Sequence, residues 1–116
     1  MVTVEIERSN GRIVSFTLSG HANSGPYGHD LVCAGVSAVA IGTENAIEKL
    51  CGVRLICQQE QDGGFLHCAV PGNLDGETER NVQLLLEGMV VSVEAIVSEY
   101  GQYIQLIDQA PFDGHN

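Results

Sequence analysis

Val2-Thr3-Val4-Glu5-Ile6-Glu7-Arg8-Ser9-Asn10-Gly11-Arg12-Ile13-Val14-Ser15-Phe16-Thr17-Leu18-Ser19 decides the fold. Val2, Val4 and Ile6 alternate with Thr3, Glu5 and Glu7, the period-two pattern of a strand with one buried face. Asn10-Gly11 tolerates the two positive φ angles of a tight two-residue hairpin turn. Residues 12–19 then return as a second strand, with Val14, Phe16 and Leu18 expected inward. The chain therefore opens on an antiparallel hairpin, and the later elements must cover its apolar face.

Downstream, the period changes. Leu31 to Cys51 reads as a helix, with Asp30 as its expected N-cap and Gly52 as its terminator. Its first half is built from small and apolar residues. Gly35 and Gly42 each cost about 1 kcal/mol of helix propensity relative to alanine, so close approach to a neighbour is expected there. Val53 to Gln59 and Phe65 to Val70 form a second hairpin around Asp62-Gly63-Gly64. Thr78 to Tyr100 is a long amphipathic helix. Its inner face runs through Val82, Leu85, Leu86, Met89, Val90, Val93, Ile96, Val97 and Tyr100, with Glu79, Gln83, Glu87 and Glu94 expected to face away. Gly101 caps it, and Gln102 to Asp108 is a last strand. The order β-β-α-β-β-α-β predicts a two-layer α+β fold: a mostly antiparallel sheet of about five strands with two helices on one face. Residues 1–108 make one domain, and residues 109–116 read as a flexible tail.

Composition narrows the function. The 116 residues suffice for one core. Fifteen acidic residues against five basic give a net charge of -10, a surface that repels nucleic-acid phosphates and suits a basic partner. No apolar run stands out as a membrane span, and the N-terminus lacks the pattern of a signal peptide. A cytoplasmic protein is expected. Cys33, Cys51, Cys57 and Cys68 contain no CxxC pair, so a disulfide framework is not expected. Cys51, Cys57 and Cys68 read as small buried hydrophobes.

The chemistry gathers between the first hairpin and the first helix. Gly20-His21 opens a loop, Ala22-Asn23-Ser24-Gly25-Pro26-Tyr27-Gly28-His29, that leads to Asp30 and, in the helix, Cys33. A cysteine near a helix start gains thiolate character from the unpaired N–H groups there. His21 can swing over on the glycine-containing loop and serve as general acid and base for a Cys33 nucleophile. The same N–H groups can hold an oxyanion. Asp30 either caps the helix or orients His21. Ser37, one turn after Cys33, either hydrogen-bonds near the thiol or simply packs. His29 is a competing histidine. A zinc site from His21, His29 and Cys33 lacks the ligand pairs of a structural site. No cofactor and no metal are expected.

Gly20-His21-Ala22, followed by Gly28-x-Asp30-x-Val32-Cys33-Ala34 and Ser37, resembles the Prp-type ribosomal-processing cysteine proteases. The likeness extends to chain length and element order. It implies an endopeptidase that removes the N-terminal extension of the twenty-seventh large-subunit ribosomal protein. It also implies a Cys33–His21 dyad, supporting or substrate-positioning roles at Gly20, Asp30 and Ser37, a mobile loop over residues 22–29, and a homodimer. The expected partner is a basic ribosomal protein precursor, with no direct nucleic-acid contact and no membrane. The alternative is a non-catalytic binding module acting in ribosome assembly.

Overall fold

The computed structural model describes residues 1–20, 27–60 and 64–110, with only the backbone of residues 27–30. The elements are β1 (Val2–Ser9), β2 (Arg12–Ser19), α1 (Tyr27–Cys51), β3 (Ile56–Gln59), β4 (Phe65–Ala69), α2 (Gly76–Tyr100) and β5 (Ile104–Asp108), which is the expected order. The expected turn at Asp62-Gly63-Gly64 lies outside the described residues except for Gly64, and so does most of the tail.

The sheet runs β3-β4-β2-β1-β5. Its pairs are antiparallel except for β5, which lies parallel to β1. Asn10 and Gly11 take φ of 54° and 81°, the pair of positive angles that a tight hairpin needs. Gly52 ends α1 at φ 70°. Val2, Val4 and Ile6 are buried as expected.

Alternation breaks once. The β1–β2 register shifts between Glu7 and Arg8, pairing Glu7 with Ser15 but Arg8 with Ile13. Val14 is the extra residue of this bulge, which turns Ile13 inward instead. Ile13 is 1% exposed, while Val14 is only half-buried.

Both helices pack on one core. α1 contributes Val32, Val36, Ala40 and Ile47, and α2 contributes Val82, Leu86, Met89, Val90 and Val93. Tyr100, expected inward, is 36% exposed. By length and composition the two helices would also suffice to cross a membrane, with mean hydropathy of 1.2 and 1.4. Here they cover the apolar face of a sheet instead, and the polar residues of α2 bond to that sheet.

Those polar residues correct the reading of α2. Glu79, Gln83 and Glu87 do not face away; they meet the first hairpin. Glu79 pairs with Arg12 at 3.0 Å, and Gln83 binds the Ile13 backbone. Glu87 accepts two hydrogen bonds from Arg8, which also bonds twice to Asp108. Glu94 is exposed, as expected.

The other corrections are local. α2 begins at Gly76 with Asp75 as N-cap, its carboxylate accepting from the Thr78 N–H at 2.8 Å. β3 is shorter than expected because Val53 and Leu55 serve the core before the ladder begins. Gly35 and Gly42 have no neighbour within 4 Å of where a Cβ would stand, so the close approach expected there is not seen.

Candidate active site

The site is built where β2 gives way to α1. Gly20 ends the strand at φ 111°, and its N–H donates to the Gly64 carbonyl at 3.2 Å. A Cβ at this position would collide with the Met1 carbonyl oxygen. Backbone angle and crowding thus both select glycine, immediately before His21.

α1 carries the sulfur. Its Val32 and Val36 are buried, fixing one side of the helix against the sheet. Cys33 lies beside this anchored stripe, half-buried and packed on the core, between buried Val32 and exposed Ala34. It therefore sits on the boundary between core and surface. Ser37, one turn later, is exposed, and packing in the core is not its role.

The helix start corrects the electrostatics expected for Cys33. α1 begins at Tyr27, so Asp30 is the fourth helical residue and not the N-cap. Cys33 falls in the second turn. The unpaired N–H groups belong to the first turn, and the effect of the helix dipole fades beyond it. The helix end therefore offers Cys33 less support for a thiolate than an N-cap at Asp30 would have given. His21, Ala22, Asn23, Ser24, Gly25 and Pro26 lie outside the described residues, as do the side chains of Tyr27, Gly28, His29 and Asp30.

The other thiols are placed differently. Cys51 is half-buried at the last position of α1. Cys57 and Cys68 face each other across β3 and β4. Cys68 is buried as expected, but Cys57 is only half-buried and its thiol donates to Glu44 at 3.3 Å. Burial is the largest cause that pushes both thiols up, and for Cys57 hydrogen bonds to Cys68 and Glu44 add to it. Both shifts disfavour the thiolate, the form that acts as a nucleophile.

The described part of the site is thus a half-buried cysteine in the second turn of an anchored helix, with a conformationally constrained glycine closing the strand before it. The model of the family described as cysteine protease Prp matches residues 1–105. The chain belongs to the Prp cysteine protease family. Relatives named ribosomal processing cysteine protease Prp occur in Bacillus subtilis, 44% identical with 86% of this chain and 90% of the relative covered, and in Staphylococcus aureus, 40% identical with 91% and 97% covered.

Solved structures agree. The S. aureus protease in complex with a substrate peptide superposes with a TM-score of 0.79 at 36% identity, covering 91% of this chain and 97% of that one. The same protease with a covalently linked product peptide gives 0.77 at 38% identity, covering 92% and 98%. A Streptococcus mutans structure gives 0.81 at 29% identity, covering 92% of each chain. Like its Prp relatives, this chain is a cysteine-type peptidase with an α+β fold. The alternative of a non-catalytic binding module is set aside by that membership.

Proposed function

We propose that this chain removes the N-terminal extension of the twenty-seventh large-subunit ribosomal protein, with Cys33 as nucleophile and His21 as general acid and base. The observation that carries the reading is the chain-long likeness to a ribosomal processing protease whose crystal structure holds a covalently linked product peptide. Such a link is what a cysteine nucleophile leaves behind. In this reading the Cys33 thiolate attacks the scissile carbonyl and His21 protonates the departing amine. Water then releases the acyl group with His21 as base. Gly20 sets the direction from which His21 leaves β2. Asp30 and Ser37 position the substrate or the imidazole, and residues 22–26 cover the bound peptide together with the start of α1, since Tyr27, Gly28 and His29, expected in the loop, belong to the helix.

The charge of the protein supports this substrate. Its net charge of -10 suits a basic ribosomal precursor. Action on such a precursor also fits the cytoplasm. The helical layer further supports a homodimer: Ile41, Leu84 and Val91 are 44%, 71% and 63% exposed. A groove of about 430 Å³ runs between the helices past Gly42 and Gly88. A second copy covering this apolar face accounts for glycines that nothing in the protomer crowds.

The test is incubation of the purified enzyme with the precursor, followed by mass spectrometry of the products. Cleavage by the native enzyme and none by Cys33→Ala is the expected result. Unimpaired cleavage by Cys33→Ala ends the assignment of the nucleophile, and an intact precursor with the native enzyme ends the assignment of the substrate.

A further inference from the structure

On the side of the sheet that faces the helices, three metal-ligating side chains from three elements converge. Glu44 comes from α1, Cys57 from β3 and Cys68 from β4, and their ligand atoms all lie within 4.8 Å of one another. Cys57 and Cys68 are direct cross-strand partners. The Cys57 thiol donates to the Glu44 carboxylate at 3.3 Å. None of these residues belongs to the proposed dyad, and Glu44 lies about three helical turns beyond Cys33 on α1.

We propose that Glu44, Cys57 and Cys68 form a Zn²⁺ site, with two thiolates and one carboxylate as ligands and solvent water in the fourth position. The donor set suits zinc, a borderline-soft ion that takes cysteine sulfur at about 2.3 Å and carboxylate oxygen at about 2.0–2.2 Å in tetrahedral geometry. Those bond lengths place a sulfur and an oxygen ligand about 3.5 Å apart, close to the separation already present between Cys57 and Glu44. Closing the site needs small side-chain adjustments rather than movement of strands.

Access and charge also fit. Cys68 is buried, while Cys57 and Glu44 are half-exposed, so an ion enters from the side of the edge strand β3 and ends against the core. The ion displaces the two thiol protons, which pass to solvent: Zn²⁺, two thiols and one carboxylate give a complex of net charge -1 and two protons. Because those two protons must leave for the ion to bind, binding weakens as the pH falls. The bound ion would fasten β3, a four-residue strand at the sheet edge, to the middle of α1.

Cobalt(II) is the probe, because thiolate ligation gives it an intense near-ultraviolet charge-transfer band and tetrahedral geometry gives strong visible absorption. The full chain is titrated with Co²⁺ and then with Zn²⁺. The expected result is one equivalent bound with a two-thiolate band, displaced by zinc and unchanged in Cys33→Ser and Cys51→Ser. The band should be lost or halved in Cys57→Ser and Cys68→Ser. Glu44→Gln should keep the thiolate band while weakening binding by about tenfold or more, a readout that does not depend on the cysteine variants folding. Absence of any thiolate band in the native protein overturns the proposal. So does a band that disappears with Cys33→Ser, since the ion would then be seated at the catalytic sulfur.

Discussion

Gln83 on α2 grips both peptide groups of Ile13 on β2. Its Oε1 accepts from the Ile13 N–H at 2.8 Å and its Nε2 donates to the Ile13 carbonyl at 2.8 Å. The β4 ladder along β2 ends at Ser15, so the bulged end of the hairpin needs partners from elsewhere. Replacing Gln83 with leucine leaves a buried donor and acceptor unpaired and should cost about 2–3 kcal/mol. Urea unfolding checks it. A loss below half of that would mean that water reaches Ile13 and takes over both bonds.

The ion network beside it gives the second prediction. Arg8 is bidentate to Glu87 and to Asp108, with side-chain exposures of 4%, 17% and 5% for the three residues. Hydrogen bonds to Glu87 and then to Asp108 raise the guanidinium pKa further above its already high value. That stabilisation disappears only above the accessible pH range, so Arg8 itself adds no pH dependence under working conditions. Arg8→Met strands two carboxylates in a nearly dry seam and should cost about 3–5 kcal/mol. Glu87→Gln, which keeps a hydrogen-bond acceptor, should cost less. Thermal and chemical unfolding of both variants give the ranking.

Neither seam could be read from periodicity. A 3.6-residue pattern separates apolar from polar faces, and Glu79, Gln83 and Glu87 fell on the polar one. It cannot tell a polar residue in water from one docked on Arg8, Arg12 or a bulged backbone. The bulge is hidden for a related reason, since Ile13 and Val14 are both apolar and the sequence does not say which is turned out. Asp30 was misplaced because aspartate favours both the N-cap and the first helical turn. Asn10-Gly11, Gly52 and the apolar stripe of α2 were legible because each is fixed by local backbone or burial physics. The cluster of Glu44, Cys57 and Cys68 emerges only once β3 pairs with β4 beneath α1.

At Asp75, stability depends on acid pH. Its carboxylate accepts from the Thr78 N–H, which lowers its pKa below the ordinary value. A lowered carboxyl pKa stabilises the fold above the unfolded-state value of about 4, and the gain is lost as the pH falls through the folded value. Asp75→Ala should lower Tm at neutral pH, with the gap to the native protein closing in acid. Asp75→Asn, which retains the cap without the charge, should show a smaller gap at neutral pH. Calorimetry at neutral and acid pH separates the two.

Gly20 offers a test of the proposed role of His21. At φ 111°, with the Met1 carbonyl against the position of a Cβ, Gly20→Ala must either adopt a left-handed conformation costing about 1–3 kcal/mol or move the chain. Either response redirects the start of the segment that carries His21. The expected outcome is a lower Tm together with a kcat loss larger than any change in KM. A variant with lowered stability but unchanged turnover would show that His21 does not take its position from this step.

The last prediction concerns which sulfur reacts. Burial raises both the Cys57 and Cys68 thiols above their ordinary value, with Cys68 and Glu44 adding to the effect at Cys57. Iodoacetamide consumes thiolate, so at neutral pH both should be labelled slowly. Cys33, half-buried at the core boundary and assigned to the dyad, should be labelled first. Its modification should track the loss of precursor cleavage one for one. Peptide mapping over a time course, in the native enzyme and in His21→Ala, measures both rates. Removing the imidazole should slow Cys33 while leaving Cys51, Cys57 and Cys68 unaffected. Equal Cys33 labelling in the two proteins would mean that the histidine does not activate the sulfur, and the dyad would have to be reassigned, with His29 as the next residue to vary.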